Sequence, residues 1–533
     1  MEARILLSHK SGHEPPGQGG GGGGGGETPP AAEYSLIDLG TLPGGSRGYA
    51  SDVNESGWVV GAAFSADGNR AFVLVPQDID GDGNSDWYSN ASGTGSTNDL
   101  MIELTTVSSV LHSGAQAINN TGQVAGWYRT TGDARAFLIT PQDMDGDGVL
   151  DWNWDADGDG ANDLMTDLGS LGGSTSVPWD INDQGQVVGE SKDADGIRFP
   201  FLWNPDAPGG TQGTMVSLGT IGVLGGNNVA TGINESGQIV GHLLFHSEEL
   251  GYHARAFVLT PQDVDGDGNL DWYTDADADG KNDLMVELGT LDTNYPTSEA
   301  NAINDSGLVV GEAGSDESPI YGHAVQWQQE GSAWSITDLG GLHKPRFTAV
   351  ALDVNNHGQV VGYAQKLSAI LWGANRLYEP TGDPRAFLYD GQMRALDTLV
   401  ADMAGFASLE YARAIADAGF IVGYGDVNGN AHGFIAVPST STASASSSLL
   451  AAASESTAAS LNATTSAESP DDSTLVSVAT PLPSTTSSIS SAESESATAA
   501  TDESEAVDEA LSELDAGPLD DSLLEFLAVA LVG

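Results

Sequence analysis

The chain has 533 residues, 75 acidic against 17 basic side chains, a formal net charge of −58, 70 glycines and no cysteine. This charge repels a phosphate backbone and argues against nucleic acid as a partner, and the lack of cysteine excludes disulfides and Cys-ligated metal centres. No run of about 18 apolar residues occurs, so we expect no transmembrane helix. Abundant glycine and only 17% charged residues favour short strands joined by tight turns, so we expect mostly β structure.

The first 33 residues are predicted to form a flexible tether rather than part of a folded domain. Met1 to Lys10 hold only the short apolar run Ile5 to Leu7, so no conventional signal peptide is visible and any export must use another route. The unbroken glycine run Gly19 to Gly26 cannot bury enough surface to fold.

A pattern of the form I-N-x-x-G-x-V-V-G then recurs seven times. Asn suits the first position of a type I turn and Gly the fourth, and the flanking Ile and Val suit strands, so each copy predicts a tight β-hairpin. The copies are Val53 to Gly61, Ile118 to Gly126, Ile181 to Gly189, Ile233 to Gly241, Ile303 to Gly311, Val354 to Gly362 and a weakened Ile415 to Gly423, in which Ala416 replaces Asn.

Two further elements follow each hairpin. The third strand is predicted from Arg70-Ala71-Phe72, Arg135-Ala136-Phe137, Phe199 to Trp203, Arg255-Ala256-Phe257, His323 to Trp327, Arg385-Ala386-Phe387 and His432-Gly433-Phe434. The fourth is predicted from D-L-G-T-L-like segments at Glu103 to Val107, Asp167 to Leu171, Ser217 to Ile221, Glu287 to Leu291, Asp338 to Leu342 and Leu396 to Leu399. Four strands per repeat is the composition of a propeller blade.

The ends of the repeat region indicate how the array closes. The last repeat stops after its third strand at Val437, whereas an orphan fourth strand, Leu36 to Leu42, precedes the first repeat. Joining the two halves completes one blade and removes the exposed sheet edge of an open array. We therefore predict an all-β, seven-bladed β-propeller over residues 34–437; the alternatives are six or eight blades or an open β-solenoid.

Residues 438–515 form a Ser/Thr/Ala/Glu-rich acidic tract, and the chain has no Lys or Arg after Arg413. This composition predicts a disordered tail. The closing segment, residues 516–533, is apolar at Leu523 to Val532 apart from Glu525 and is too short to span a bilayer. It is either a small helix or a sorting element.

Three blades carry an Asp-rich insert between the third and fourth strands, at about residues 76–101, 141–166 and 261–286. Each opens with Pro-Gln-Asp and contains D-x-D-G-D-G-x-x-D-W. Asp at alternate positions directs carboxylates at one ion, Gly at the sixth position permits a sharp turn, and Asp at the ninth closes the shell. This pattern predicts sites for a hard, oxygen-loving cation, and we expect Ca²⁺.

Five loops are predicted, because two of the inserts hold a second loop directly after the first. Their ligands are Asp78, Asp80, Asp82, Asn84 through its carbonyl, and Asp86; Asp143, Asp145, Asp147 and Asp151; Asp155, Asp157, Asp159 and Asp163; Asp263, Asp265, Asp267, Asn269 and Asp271; and Asp275, Asp277, Asp279 and Asp283. A second loop in the first insert has decayed to Ser89 through Asp99.

The loops lack the bidentate Glu at position 12 that completes an EF-hand, where Ser89, Trp154, Thr166, Thr274 and Val286 stand instead. A calcium-sensor switch is therefore not expected, and dissociation constants should be roughly 10⁻⁴ to 10⁻³ M, the extracellular range. Mg²⁺ fits less well, because it retains its waters and demands stricter octahedral geometry. The alternative is that these are solvated acidic loops without a metal.

The linked elements I-N-x-x-G-Q-V-V-G, H/R-A-F-L-W and D-L-G-x-L-G-G resemble the HAF-type extracellular repeat of bacteria over about residues 34 to 437, although most copies here have Arg in place of the His. The 12-residue spacing of Asp143 and Asp155 is similar to thrombospondin type 3 calcium loops, and Glu2 to Ser8 is similar to the L-E-P-R-x-L-L motif of some bacterial surface proteins. The resemblances imply an extracellular or cell-surface setting in a bacterium. They do not indicate a biochemical activity.

The other chemistry-bearing residues show weaker patterns. A tryptophan follows the first loop of each insert, at Trp87, Trp152 and Trp272, and either packs against the blade or stacks on sugars. The histidines share no metal-ligand spacing between repeats.

We find no catalytic motif. Two functions stay open: a structural, adhesive or ligand-binding module for a polysaccharide, protein or cell-envelope partner, or a carbohydrate-active lyase or hydrolase with its site over the central channel. The sequence does not indicate the oligomeric state.

Overall fold

A computed structural model describes residues 33–439 except 66–67, 92, 94–95, 106–109, 131, 222–227, 248–250, 293–296, 316–317, 343–346 and 373–374. The predicted tether and acidic tail lie outside the described residues, apart from Glu33, Pro438 and Ser439. No helix in the described part of the chain is long and apolar enough to cross a membrane.

The strands form seven groups of four. β1 is Tyr34–Asp38. Blade 1 holds β2 (Gly48–Val53), β3 (Val59–Ser65), β4 (Gly68–Leu74) and β5 (Met101–Glu103), and blade 2 holds β6 (His112–Ile118), β7 (Val124–Arg129), β8 (Arg135–Ile139) and β9 (Met165–Asp167). Blade 3 holds β10 (Gly172–Ile181), β11 (Val187–Asp193), β12 (Arg198–Pro205) and β13 (Gly213–Ser217), and blade 4 holds β14 (Asn228–Ile233), β15 (Ile239–Ser247), β16 (Gly251–Leu259) and β17 (Met285–Glu287). Blade 5 holds β18 (Ser298–Ile303), β19 (Val309–Ser315), β20 (Ser318–Glu330) and β21 (Ala333–Asp338), and blade 6 holds β22 (Phe347–Val354), β23 (Val360–Trp372), β24 (Asn375–Tyr389) and β25 (Met393–Ala395). Blade 7 holds β26 (Ser408–Ile415), β27 (Ile421–Val427) and β28 (Asn430–Pro438).

The seven sheets are antiparallel and form a closed β-propeller. Six blades pair their strands in chain order, and the seventh has the order β1-β28-β27-β26. β1 pairs with β28 from Tyr34 opposite Pro438 to Asp38 opposite Phe434. The predicted blade number and the closure by strands from both ends of the chain are thereby confirmed.

The fourth strands differ from the prediction in their bounds. They are short and lie before the D-L-G segments, or overlap only their first residues, as β9 at Met165–Asp167 shows. The motif leucine is buried and still bonds to the third strand, as Leu168 N does to Ala136 O at 3.0 Å, but the following Gly169 has φ +79° and turns the chain away. In blade 6 the predicted strand Leu396 to Leu399 begins instead with a 3₁₀ helix, η1 (Leu396–Thr398).

In six of the seven blades the hairpin turn is built on the motif Asn, as predicted, and the same side chain also joins neighbouring blades. In blade 4, Gly237 N donates to Asn234 O at 3.0 Å to close the turn, and Asn234 Oδ1 accepts from Gln238 N. Asn234 Nδ2 then donates to Asn304 O of blade 5 at 3.0 Å. Equivalent bonds link the other blades from blade 1 through to blade 7, and only Ala416 cannot make one.

The residue after the motif Asn takes part in a second set of hydrogen bonds between blades. This set runs through all seven blades and forms a closed ring. Its backbone N–H donates to the side chain at the same position in the next blade, as Asp183 N does to Glu235 Oε1 at 2.8 Å. The seventh bond, from Asp417 N to Glu55 Oε1 at 2.7 Å, joins blade 7 to blade 1. The acceptors are Glu55, Asn120, Asp183, Glu235, Asp305, Asn356 and Asp417, so five carboxylates encircle this mouth of the channel.

The motif ends in glycine because the first strand of each blade has a β-bulge there. The bulge brings a backbone carbonyl of that strand close to the glycine. In blade 4 the register shifts between Ala230 and Gly232, and a Cβ on Gly241 would collide with the Val229 carbonyl oxygen. The corresponding glycines, including Gly311 and Gly362, meet the same obstacle. The constraint is a close backbone approach, since these glycines do not have positive φ.

In six blades, the Arg or His of the third strand contacts an acidic residue at the end of the fourth strand or, in blade 6, in η1 directly after it. Arg70 contacts Glu103 at 3.1 Å, Arg385 contacts Asp397 at 2.7 Å, and His432 Nδ1 lies 3.0 Å from Asp38. Arg135, Arg255 and His323 make the equivalent pairs. The same third-strand position is therefore occupied by Arg in four of these pairs and by His in two.

We predict that Gly241→Ala lowers the free energy of unfolding by ~1–3 kcal/mol, because the added methyl group must displace the bulged strand. Urea unfolding of the full chain measures the change. Gly289→Ala is the matched control, since no atom lies within 4 Å of a Cβ there. Equal stability of the two variants would contradict the packing role of the motif glycine.

We predict that His432→Arg flattens the pH dependence of stability. The hydrogen bond to Asp38 raises the pKa of His432, so its stabilisation is complete below the unfolded pKa of about 6.5 and is lost as pH rises through the higher folded value. Arg stays charged throughout. Melting temperatures from pH 6 to about pH 9 should fall less in His432→Arg than in the wild type, whereas His357→Arg, at an exposed position, should follow the wild type. Identical slopes for all three proteins would refute the role of this pair in ring closure.

Candidate metal loops and the channel

The Asp-rich inserts all lie at one face of the propeller. They connect β4 to β5, β8 to β9 and β16 to β17, so they leave each blade at the end where its first hairpin turns. The tryptophan after each first loop fixes the insert to that hairpin: Trp87 Nε1 donates to Gly57 O at 2.8 Å, and Trp152 and Trp272 bond likewise to Gly122 and Gly237. These indoles pack against the blade, and Trp152 is only 2% exposed.

In each of the five loops the structure brings three predicted carboxylates together, with one oxygen of each within 4.8 Å of the others. The groups are Asp78, Asp80 and Asp86; Asp143, Asp145 and Asp151; Asp155, Asp157 and Asp163; Asp263, Asp265 and Asp271; and Asp275, Asp277 and Asp279. Four groups thus use loop positions 1, 3 and 9, and the fifth uses positions 1, 3 and 5. The predicted ligands Asp82, Asp147, Asp159, Asp267 and Asp283 lie outside these groups.

The loop backbone is held by its own carboxylates in nearly the same way each time. In the first loop, the two oxygens of Asp78 accept from Gly81 N at 2.7 Å and Gly83 N at 3.1 Å, and Asp86 accepts from Ile79 N at 3.0 Å. Asp82 and its equivalent Asp267 accept from the backbone N–H of Asn84 and Asn269. These bonds curl the chain so that, in four of the five loops, carboxylate oxygens of positions 1, 3 and 9 lie near one another.

Position 4 of the loop requires a left-handed backbone, which the sequence pattern did not reveal. Gly81, Gly146, Gly158 and Gly266 occupy it with φ between +77° and +80°. The fifth loop has Ala278 there at φ +59°, a conformation that costs an alanine roughly 1 kcal/mol. Position 6, predicted to need glycine, also has positive φ in every loop.

The fifth loop differs from the others in charge as well. Lys281 stands at position 7 and forms an ion pair with Asp279, and this contact lowers the pKa of Asp279. The lysine therefore competes for a carboxylate that the fifth site needs. The other four loops contain no Lys or Arg.

A buried asparagine, which the sequence reasoning missed, ends each insert. Asn98, Asn162 and Asn282 are at most 4% exposed. Asn162 Nδ2 donates to Trp152 O of its own insert at 2.8 Å and to Leu104 O of the preceding blade at 2.9 Å. The recurring sequence Asn-Asp-Leu-Met was the signal that could have identified it. Since Asn98 makes the same contacts, the first insert keeps its anchor although its second acidic loop has decayed.

Three further carboxylates, on blades 1, 3 and 6, are near enough for their charges to interact. Asp52, Asp180 and Asp353 each stand two residues before the motif Asn and accept two backbone N–H groups, one from their own blade and one from the next, at 2.7–2.8 Å. Burial raises the pKa of Asp52 to about 7 and that of Asp353 to about 6, and raises the pKa of Asp180 well above its usual range. The charges of Asp52 and Asp353 add to the shift at Asp180, so the three groups lie within electrostatic reach of each other.

Residues 251–510 match the profile of a family described as "Protein of unknown function (DUF3466)". The matched span begins at β16, covers blades 5 to 7 and continues into the acidic tail. It amounts to just under half of the chain. No curated protein matches the chain.

Proposed function

We propose that this chain is a calcium-binding β-propeller of the bacterial cell exterior, in which Ca²⁺ orders the inserts on one face and the propeller serves as a structural, adhesive or ligand-binding module. The observation that carries the proposal is the convergence of three exposed or half-exposed carboxylates in each of five loops. Oxygen-only ligand sets of this kind suit Ca²⁺, which accepts flexible coordination by carboxylates, carbonyls and water.

The expected affinity supports an extracellular site of action. Three grouped carboxylates per loop leave much of a six- to eight-oxygen Ca²⁺ shell to carbonyls and water, and the bidentate position-12 Glu is missing. Sites of this strength are filled at the millimolar Ca²⁺ of extracellular modules and stay empty at the lower levels that sensor proteins detect. Calcium here would therefore be a permanent structural component outside the cell.

A carbohydrate-active enzyme with its site over the channel is the second candidate, favoured by the grouping of Asp52, Asp180 and Asp353. Each of these carboxylates already accepts two backbone N–H groups, one of them from the neighbouring blade. Their geometry suits inter-blade bridging better than attack on a substrate or transfer of a proton. The binding module is therefore the function we favour.

We predict that isothermal titration of the full chain with Ca²⁺ gives saturable binding with dissociation constants of roughly 10⁻⁴ to 10⁻³ M, and much weaker binding of Mg²⁺. The triple variant Asp78→Asn, Asp143→Asn and Asp263→Asn removes the position 1 ligand from the first loop of each insert and should lose about three of the five sites. Asp195→Asn, Asp206→Asn and Asp383→Asn together change the charge equally at exposed positions outside the loops and should keep all sites. Absence of Ca²⁺ binding, or equal loss in both triple variants, would overturn the proposal.

We predict that the double variant Ala278→Gly, Lys281→Asn tightens the Ca²⁺ site of the fifth loop by about fivefold. The change relieves ~1 kcal/mol of backbone strain and frees Asp279 from its ion pair with the lysine. The reciprocal change Gly266→Ala should weaken the fourth loop by a similar factor. Calcium titrations of the two variants beside the wild type measure both effects. No change in either protein would show that the loop backbone does not set the affinity.

A further inference from the structure

Two glutamates of blade 5 face each other on neighbouring strands. Glu299 on β18 and Glu312 on β19 are directly opposed in the register, and like charges in this arrangement destabilise a sheet. Burial and the charge of Glu299 raise the pKa of Glu312 to about 8. Within the described part of the chain, no Lys or Arg forms a salt bridge with either residue.

Blade 3 has an equivalent glutamate that is neutralised. Glu190 occupies the position of Glu312, directly after the motif glycine, and Arg198 contacts it at 2.6 Å. Arg198 lies two residues before Pro200, the cross-strand partner of Glu190. The same offset in blade 5 leads to Gly322, two residues before Ala324, the partner of Glu312. Blade 5 therefore has a glycine, with no side chain, at the position where blade 3 has the neutralising guanidinium.

A histidine of blade 4 lies beside Glu299. His242 Nδ1 lies 3.9 Å from Glu299 Oε2, which is too long for a hydrogen bond. This nitrogen is buried and makes no hydrogen bond with any described residue. Two ligands that each lie about 2.0–2.2 Å from one zinc ion are at most about 4.3 Å apart, so the observed separation fits a shared cation.

We propose that His242, Glu299 and Glu312 form a site for one transition-metal cation between blades 4 and 5, with Zn²⁺ as its best match. One imidazole and two carboxylates suit Zn²⁺, whereas Ca²⁺ selects oxygen ligands only. The Glu312 carboxylate lies over Gly322, where a Cβ would stand 2.6 Å from Oε2. It is therefore outside the His242–Glu299 pair in this structure, and a rotation about its side-chain bonds would have to bring it to the cation. The cation supplies the positive charge that Arg198 supplies in blade 3, and it ties two blades together.

The test is a titration of the full chain with Zn²⁺ in excess Ca²⁺, which occupies the acidic loops. We expect one Zn²⁺ per chain and at least tenfold weaker binding in His242→Ala and in Glu312→Gln. Glu190→Gln is the matched control and should bind Zn²⁺ as the wild type does. Co²⁺ in place of Zn²⁺ should give a visible absorption band that disappears in His242→Ala.

A second variant keeps the proposal testable if Glu312→Gln fails to fold. Gly322→Arg introduces the arginine that blade 3 carries at this position, so it should abolish Zn²⁺ binding. Addition of Zn²⁺ should then raise the melting temperature of the wild type but not that of this variant. The absence of a saturable site in excess Ca²⁺, or unchanged binding in His242→Ala, would overturn the proposal. Because Ca²⁺ binding by the inserts is measured separately, neither result bears on the calcium proposal.

Discussion

The asparagine of the repeated hairpin holds its own turn with one side-chain atom and the neighbouring blade with the other. Its Oδ1 accepts backbone N–H groups within the turn, and its Nδ2 donates to a carbonyl of the next blade, as Asn304 does to Asn355 at 2.9 Å. Aspartate would suit the turn but has no donor for the neighbour. The residue that follows this asparagine forms the other set of hydrogen bonds between blades, so both sets start from the same turn. At the one junction where Ala416 lacks the donor, Glu55 accepts two N–H groups from blade 7, and β1 completes the sheet.

With the ring fixed, the differences between repeats show where the chain has chemistry beyond packing. The inserts occur in blades 1, 2 and 4 and are anchored by a tryptophan and a buried asparagine, so their acidic loops extend from a rigid base. The position after the motif glycine differs from blade to blade, and it carries Glu190, His242 and Glu312 in blades 3, 4 and 5. A scaffold whose repeats are alike in their backbone can thus hold different groups at equivalent places.

The sequence was sufficient to predict what depends on contacts within one repeat. The hairpin turns, the third strands and the count of seven followed from local pattern. The closure followed from one orphan fourth strand before the first repeat and a last repeat that lacks its own fourth strand. The fourth strands were placed a few residues too late, because the apolar leucine of D-L-G looks like a strand residue although Gly169 and its equivalents turn the chain there.

The roles of the motif asparagine, the final motif glycine and Asn162 lie between blades or elements, and local periodicity carries no information about such contacts. The pairing of Glu299 with His242 is of the same kind, since 57 residues separate them in the chain. The acidic loops are the opposite case, because a nine-residue segment supplies the whole group. Their spacing was enough to predict that positions 1, 3 and 9 come together in four loops, but not that the fifth loop groups positions 1, 3 and 5.

The central claim is that calcium organises the insert face of a ring that is already complete without it. Hydrogen–deuterium exchange of the full chain, with and without Ca²⁺, tests this claim most directly, because it reports backbone protection segment by segment. We predict that Ca²⁺ slows exchange within residues 78–86, 143–163 and 263–283 and leaves the β-strands of all seven blades unchanged. Unaltered exchange in the inserts, or a calcium effect spread evenly over the blades, would contradict the account.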